Sequence, residues 1–164
     1  MNDTDRRGRG AAIILAVTIL LLDQATKLFV LHRLDLSQGP INVLPVMDLT
    51  LVWNRGISYG LLQSEGLGRW LLVAFTAVAV VALSVWLWRT QRPLVQIAVG
   101  LIIGGAIGNL IDRVAYGAVV DFVHLYYAGF SWYVFNVADA AIVVGVVVLL
   151  IDSLFPGRTA QTDP

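Results

Sequence analysis

Four apolar runs, at about 11–32, 69–88, 94–112 and 136–155, each approach the length that crosses a bilayer as a helix. Hydrocarbon offers no water to satisfy the backbone, so such runs must cross as helices, and four short crossings in one chain form a bundle. Of the 164 residues, 58% are hydrophobic and only 13% charged, a membrane-protein composition with little room for a second core, so one integral-membrane domain spanning 1–164 is expected. The net charge of zero points to no nucleic-acid partner, and the absence of cysteine removes disulfides and thiol catalysis. Carboxylate, hydroxyl or metal chemistry remains.

The arginines give an orientation, because positive residues in short loops are retained on the cytoplasmic side. Arg6, Arg7 and Arg9 precede the first run, Arg89 and Arg92 stand in the tight turn broken by Pro93, and Arg158 follows the last run. Arg33, Arg55, Arg69 and Arg113 fall on the other side, diluted over longer segments. Both termini are therefore expected in the cytoplasm. The basic start and apolar run from Ala11 to Leu22 resemble a secretory signal, but the run continues past Asp23-Gln24-Ala25-Thr26-Lys27 into Leu28-Phe29-Val30-Leu31, which reads as a retained span.

Residues 33–68 form an outer segment broken by Gly39-Pro40 and Pro45, in which Leu49-Thr50-Leu51-Val52-Trp53 has strand composition and predicts a small sheet. The aromatic-rich stretch from Phe122 to Tyr133 is expected along the outer interface. The tails, 1–10 and 157–164, read as polar and mobile. In the third run Gly100, Gly104 and Gly108 recur every four residues beside Gly105, a stripe that lets another helix approach closely.

Charge placed against these runs carries the chemistry, since an ionisable group at membrane depth costs several kcal/mol unless it faces a cavity or a partner. Asp23 and Lys27 are spaced i, i+4 and read as a structural ion pair. Asn109 and Asp112, one turn apart with Arg113 beside them, share the outer end of the third run. Asp121 and Asp139 flank the connection between two antiparallel spans and are the expected reactive pair: one carboxyl keeps a proton while the other, as base, activates water against a peptide carbonyl. Bland readings run alongside. Asn136 followed by Asp139 is also an N-cap with an acid in the first turn, and Asp121 is also readable as a surface carboxylate. His124, with only His32 as a second histidine, makes a poor metal site and reads as interfacial. Ser58 and Ser131 show no nearby base, and Asp48, Glu65 and Asp152 read as ordinary solvated or interfacial charges.

Five blocks, in order, resemble lipoprotein signal peptidase (signal peptidase II), the bacterial intramembrane aspartic peptidase family. They are Asp23-Gln24-Ala25-Thr26-Lys27; Asn54-Arg55-Gly56-Ile57-Ser58-Tyr59-Gly60; Gly104 through Arg113; Val120-Asp121-Phe122; and Phe135-Asn136-Val137-Ala138-Asp139. The resemblance implies a four-transmembrane-helix bundle with a small extracytoplasmic β-cradle and an interfacial aromatic helix; the stretch from Phe122 to Tyr133, between Asp121 and Asp139, is alternatively expected as a flap over the site. It implies Asp121 and Asp139 as the catalytic dyad, with Asn54, Gly56, Gly108, Asn109, Asp112, Arg113, Asn136 and Ala138 shaping the site or binding substrate. Asn54, Arg113 and Asn136 would hold substrate backbone. No cofactor and no metal is implied. The expected partners are membrane lipids and diacylglyceryl-modified prolipoproteins, cleaved before the lipidated cysteine at the outer face of the bacterial cytoplasmic membrane. Ser58 and Tyr59 stand where the family often has Ala and Phe. Two other classes compete: a proton-coupled transporter, against which the lack of an inverted repeat and the gathering of acids at one face both speak, and a structural bundle, in which both aspartates would tolerate Asn.

Overall fold

A computed structural model describes residues 3–56 and 66–155, with side chains described from residue 7 onward. The expectations for Ser58, Tyr59, Glu65, Arg158 and the carboxyl tail lie outside the described residues. Four helices, α1 (Asp3–Arg33), α2 (Leu67–Arg89), α3 (Pro93–Tyr116) and α4 (Val137–Leu154), are long and apolar enough to cross a membrane. The amino-terminal segment differs from its expectation as a tail: from Asp3 it is already the first turns of α1. Its glycine has a reason to be there, because Gly8 packs on the side chain of the fully buried Gln96 of α3.

α3 is the centre of the bundle. Over half of its most apolar stretch is buried, against 17% or less in the other three helices. The glycine stripe explains how. A Cβ on Gly100 would stand 2.5 Å from the Ala12 carbonyl oxygen, and one on Gly104 2.5 Å from that of Ala16, so α1 lies directly on the α3 backbone. Gly105 meets the Ala138 carbonyl in the same way, and Gly145 returns the contact from α4 to Ala98 and Ile102. In lipid, where apolar burial drives no association, such close approach is what holds helices together. α3 opens on Pro93 at its first turn and closes on Gly117, whose φ of 78° a side chain would strain.

Strands β1 (Ile41–Leu44), β2 (Met47–Asn54), β3 (Val119–Tyr127) and β4 (Phe130–Ser131) form an antiparallel sheet in sequence order. β2 and β3 pair from Met47 opposite Leu125 to Asn54 opposite Val119, with an extra β2 residue accommodated between Leu49 and Val52. That register sets Val52 across from Asp121. The aromatic stretch is therefore the β3–β4 hairpin and not an interfacial helix: Val-Val-Asp-Phe-Val-His-Leu-Tyr-Tyr is rich in β-branched and aromatic residues that pack well on a pleated surface. Its two-residue turn, Ala128 and Gly129, has φ of 48° and 82°. Both central residues are left-handed, as a hairpin of this length prefers. The inner half of β3, Val119 to Phe122, is buried, while Tyr127, Phe130, Trp132 and Tyr133 are exposed beyond it. At this outer tip Val46, Leu125, Tyr126, Tyr127, Phe130 and Trp132 line an apolar pocket of about 340 Å³.

Candidate active site

α4 begins where β3, the outer end of α3 and α1 converge, and its first turn is unusually well provided. Asn136 is the N-cap: its Oδ1 accepts from the Asp139 backbone N–H at 2.9 Å, and Asp139 Oδ2 accepts from the Asn136 backbone N–H at 3.3 Å, a reciprocal capping box. A third first-turn donor, the Ala138 N–H, reaches across to Asp23 Oδ1 of α1 at 2.9 Å. On the sequence alone, capping and reactivity are separate but compatible readings of Asn136-x-x-Asp139. Capping is realised, and the same residues also reach the second carboxylate.

The contact that joins them is the other end of the Asn136 amide. Its Nδ2 donates to Asp121 Oδ1 at 2.7 Å, and also lies within reach of Asn109 Oδ1 at 3.1 Å and the Val120 carbonyl at 3.3 Å. Asp121 is 2% exposed and takes a second bond at Oδ2 from Asn54 Nδ2, 3.0 Å away at the end of β2. Asp139 takes its own side-chain donor, Asn109 Nδ2 at 2.8 Å. One asparagine thus holds both carboxyls, and one further asparagine steadies each. Burial first, and the neighbouring Asp139 second, push the Asp121 carboxyl up to about 7.

Beneath this pair lies a charged layer, entirely buried. Lys27 Nζ stands 2.8 Å from Asp23 Oδ2, 2.8 Å from Asp112 Oδ2 and 3.0 Å from Asn109 Oδ1. The expected Asp23–Lys27 pair is present, with Asp112 as a third member. Asp112 Oδ2 also accepts the Val120 N–H at 3.1 Å, tying α3 to the strand that carries Asp121. Gln24, a residue without a role in the sequence reading, donates toward Asp112 Oδ1 at 3.0 Å, the Gly108 carbonyl at 3.2 Å and Asp23 Oδ2 at 3.2 Å. Its only signal is its place inside the Asp23-to-Lys27 block. Gly108 has no room for a side chain, because a Cβ there would sit 2.5 Å from Asp23 Oδ2.

At the mouth, Asn54 Oδ1 accepts the Gly56 N–H at 3.2 Å. Arg113 is half-buried, and its hydrogen bonds among the described residues are long, 3.4 Å to the Asn109 carbonyl and 3.5 Å to that of Gly56. Asn136, expected to hold substrate backbone, differs: it is fully buried and both ends of its amide are occupied within the protein.

Three polar residues elsewhere also differ from their sequence reading. Ser131, which showed no base, lies 2.7 Å from His124 Nε2, and His124 Nδ1 lies 3.3 Å from Asp48 Oδ1. Sequence distance hid this cluster, since β2, β3 and β4 bring it together only by pairing. Asp48 is accordingly buried and bonded, not solvated. Strand alternation points His124 away from the face of Asp121, three residues earlier, so the cluster is a cross-strand polar tie on the opposite side of the sheet. Asp152 is likewise paired, 2.7 Å from Arg92. Among the described residues, no group of three or more His, Asp or Glu side chains is arranged to hold a metal ion.

Comparison with known proteins adds the family. Residues 15–155 match the family model described as signal peptidase (SPase) II. A lipoprotein signal peptidase of Methylorubrum extorquens (strain PA1) is 56% identical over 156 residues, covering 93% of this chain and 91% of the relative. One from Rhodopseudomonas palustris (strain TIE-1) is 56% identical over 148 residues, covering 87% and 90%. Among solved structures, a bacterial membrane enzyme determined by the in meso method at 2.3 Å superposes with a TM-score of 0.82, at 28% identity over 94% of both chains. These relatives favour the protease over the transporter and the structural bundle.

Proposed function

The chain belongs to the signal peptidase II family, and from that membership we propose that it is a metal-independent aspartic endopeptidase whose reacting groups are Asp121 and Asp139. The observation that carries the reading is the Asn136 bridge. One residue bonds to Asp121 through its side chain and to Asp139 through its backbone, so two carboxyls from different elements are held as a unit.

At neutral pH such a pair shares one proton. We assign the proton to Asp121 and the role of base to Asp139, whose place in the capping box at the amino end of α4 suits a carboxylate. Asp139 removes a proton from water, the hydroxyl adds to the scissile carbonyl carbon, and the Asp121 proton passes to the carbonyl oxygen. The tetrahedral species collapses as the amide nitrogen leaves with the proton from Asp139, and Asp121 recovers its own from the hydroxyl that becomes the new carboxyl. Arg113, with long contacts to its described neighbours, has capacity left to grip a substrate carbonyl, whereas Asn54 and Asn136 position Asp121.

The substrate is a prolipoprotein already carrying a diacylglyceryl-modified cysteine, cleaved on the amino side of that cysteine. The lipid holds the scissile bond at the membrane surface, at the depth where β3 meets α4, and so lowers the entropic cost of reaching the pair. Both termini face the cytoplasm and the pair lies near the outer face of the bacterial cytoplasmic membrane. This orientation is supported by Arg7, Arg9, Arg89 and Arg92 at the end of the bundle remote from the aspartates.

The test is cleavage of a diacylglyceryl-modified prolipoprotein by purified wild type, Asp121→Asn and Asp139→Asn, each shown to be folded in detergent, with and without EDTA. Cleavage before the lipidated cysteine by wild type, unaffected by EDTA and absent in both variants, supports the reading. Near-normal turnover by either variant, or loss of wild-type activity in EDTA, overturns it.

A further inference from the structure

The proposed pair does not rest on the helix cap alone. Lys27 is 2% exposed, in a helix that crosses the membrane, and its ammonium is bonded to two carboxylates and to one amide oxygen. A single ion pair would already satisfy the requirement that a buried cation be neutralised. The third bond goes to Asn109 Oδ1, and the other end of that amide, Nδ2, donates to Asp139 Oδ1 at 2.8 Å. Asn109 Oδ1 also lies 3.1 Å from Asn136 Nδ2, which in turn donates to Asp121. A cation on the oxygen of an amide draws electron density from its nitrogen and makes its N–H a stronger donor.

Accepting the aspartic reading above, we propose that Lys27 is a positioning residue for the reaction. Its ammonium, fixed by Asp23 and Asp112, polarises Asn109 and delivers positive potential to Asp139, so that the pair keeps a single negative charge at neutral pH. The charged groups around the pair include Asp23 and Lys27 from α1 and Asp112 and Arg113 from α3; β2 contributes the neutral Asn54, and Arg55 follows it in the chain. Lys27 is joined to Asp139 through a single intervening amide, by bonds of 3.0 and 2.8 Å.

The deciding variant is Asp23→Asn/Lys27→Met. It removes one charge of each sign, so the buried layer keeps its net charge, and the amide oxygen introduced at position 23 can still accept the Ala138 N–H. Lys27→Met alone leaves two buried carboxylates unpaired and serves only as a folding comparison; Asp23→Asn alone keeps the ammonium. The pH profile of kcat, measured on lipidated prolipoprotein in detergent, is expected to move to higher pH by about one unit in the double variant. In Asp23→Asn it is expected to stay or to move lower. A folded double variant with the wild-type profile would make Lys27 a structural charge only and overturn the proposal. A wild type without activity would instead overturn the aspartic reading, so the two failures are distinguishable.

Discussion

Asn136 separates two functions that a single alanine substitution would confuse. Its Oδ1 caps α4 through the Asp139 N–H at 2.9 Å, and its Nδ2 holds Asp121 at 2.7 Å. Serine is as good an N-cap as asparagine, but its hydroxyl is too short to span to Asp121. Asn136→Ser is therefore expected to keep the helix start and lose the bridge, while Asn136→Ala loses both. The cap is worth about 1 kcal/mol, so the serine variant should be more stable than the alanine variant by roughly that amount. Asp121 is neutral while it holds the shared proton, and a hydrogen bond between neutral groups contributes about 0.5–1.5 kcal/mol. If the bridge is at full strength only in the transition state, both variants lose turnover by roughly two- to 13-fold. Thermal unfolding in detergent reads the first quantity and kcat on lipidated prolipoprotein the second. A serine variant that turns over as fast as wild type would refute the reasoning, because the cap alone would then suffice to place the two carboxyls.

Three further outcomes follow from particular contacts. The Asp121 carboxyl, pushed up to about 7 by burial and by Asp139, must hold its proton to act as the acid; kcat/KM should fall as pH rises through about 7, and a rate constant out to pH 9 would contradict the assignment. Gly104→Ala places a methyl group 2.5 Å from the Ala16 carbonyl and pushes away the helix that carries Lys27, an overpacking cost of about 1–3 kcal/mol, whereas Gly10→Ala, with open space around it, should be neutral or slightly stabilising; equal melting temperatures for the two would undo the account of the stripe. Ala128→Gly relieves a left-handed alanine at φ 48° and is expected to stabilise the hairpin by roughly 1 kcal/mol, read as a raised melting temperature with unchanged turnover.

The spans are legible in the sequence because bilayer crossing imposes a length and a composition that few other structures share, and α2, α3 and α4 lie within a few residues of their expected bounds. The first helix is harder to bound, since Gly8 and Gly10 look like breakers until Gly8 is seen against Gln96. The acids Asp121 and Asp139 stand out by charge in apolar surroundings, and Asp23 with Lys27 by spacing. Their common connector does not. An asparagine carries no charge and no period, so nothing marks Asn109 as the group between Lys27 and Asp139, or Asn136 as the bridge to Asp121, beyond the family blocks that contain them. The hairpin escapes sequence reading for another reason: aromatic residues suit both an interfacial helix and a strand, and the choice is made by pairing with β2, which lies about 70 residues earlier.

The charges at this end of the bundle explain why its connectors are amides. Asp23, Asp112, Asp121 and Asp139 gather around Lys27 and Arg113, where a bilayer penalises any imbalance of charge. A further cation close to the pair would reduce the imbalance, but it would also hold both aspartates ionised and leave no acid to protonate the carbonyl oxygen. A proton retained by the pair lowers the imbalance by one charge and supplies that acid at the same time. Asn54, Asn109 and Asn136 then satisfy the remaining oxygen lone pairs without adding charge. Replacing any of them with a cationic side chain would improve the electrostatic balance and abolish the asymmetry, so the catalytic proton is part of what makes this charge arrangement tolerable in a membrane.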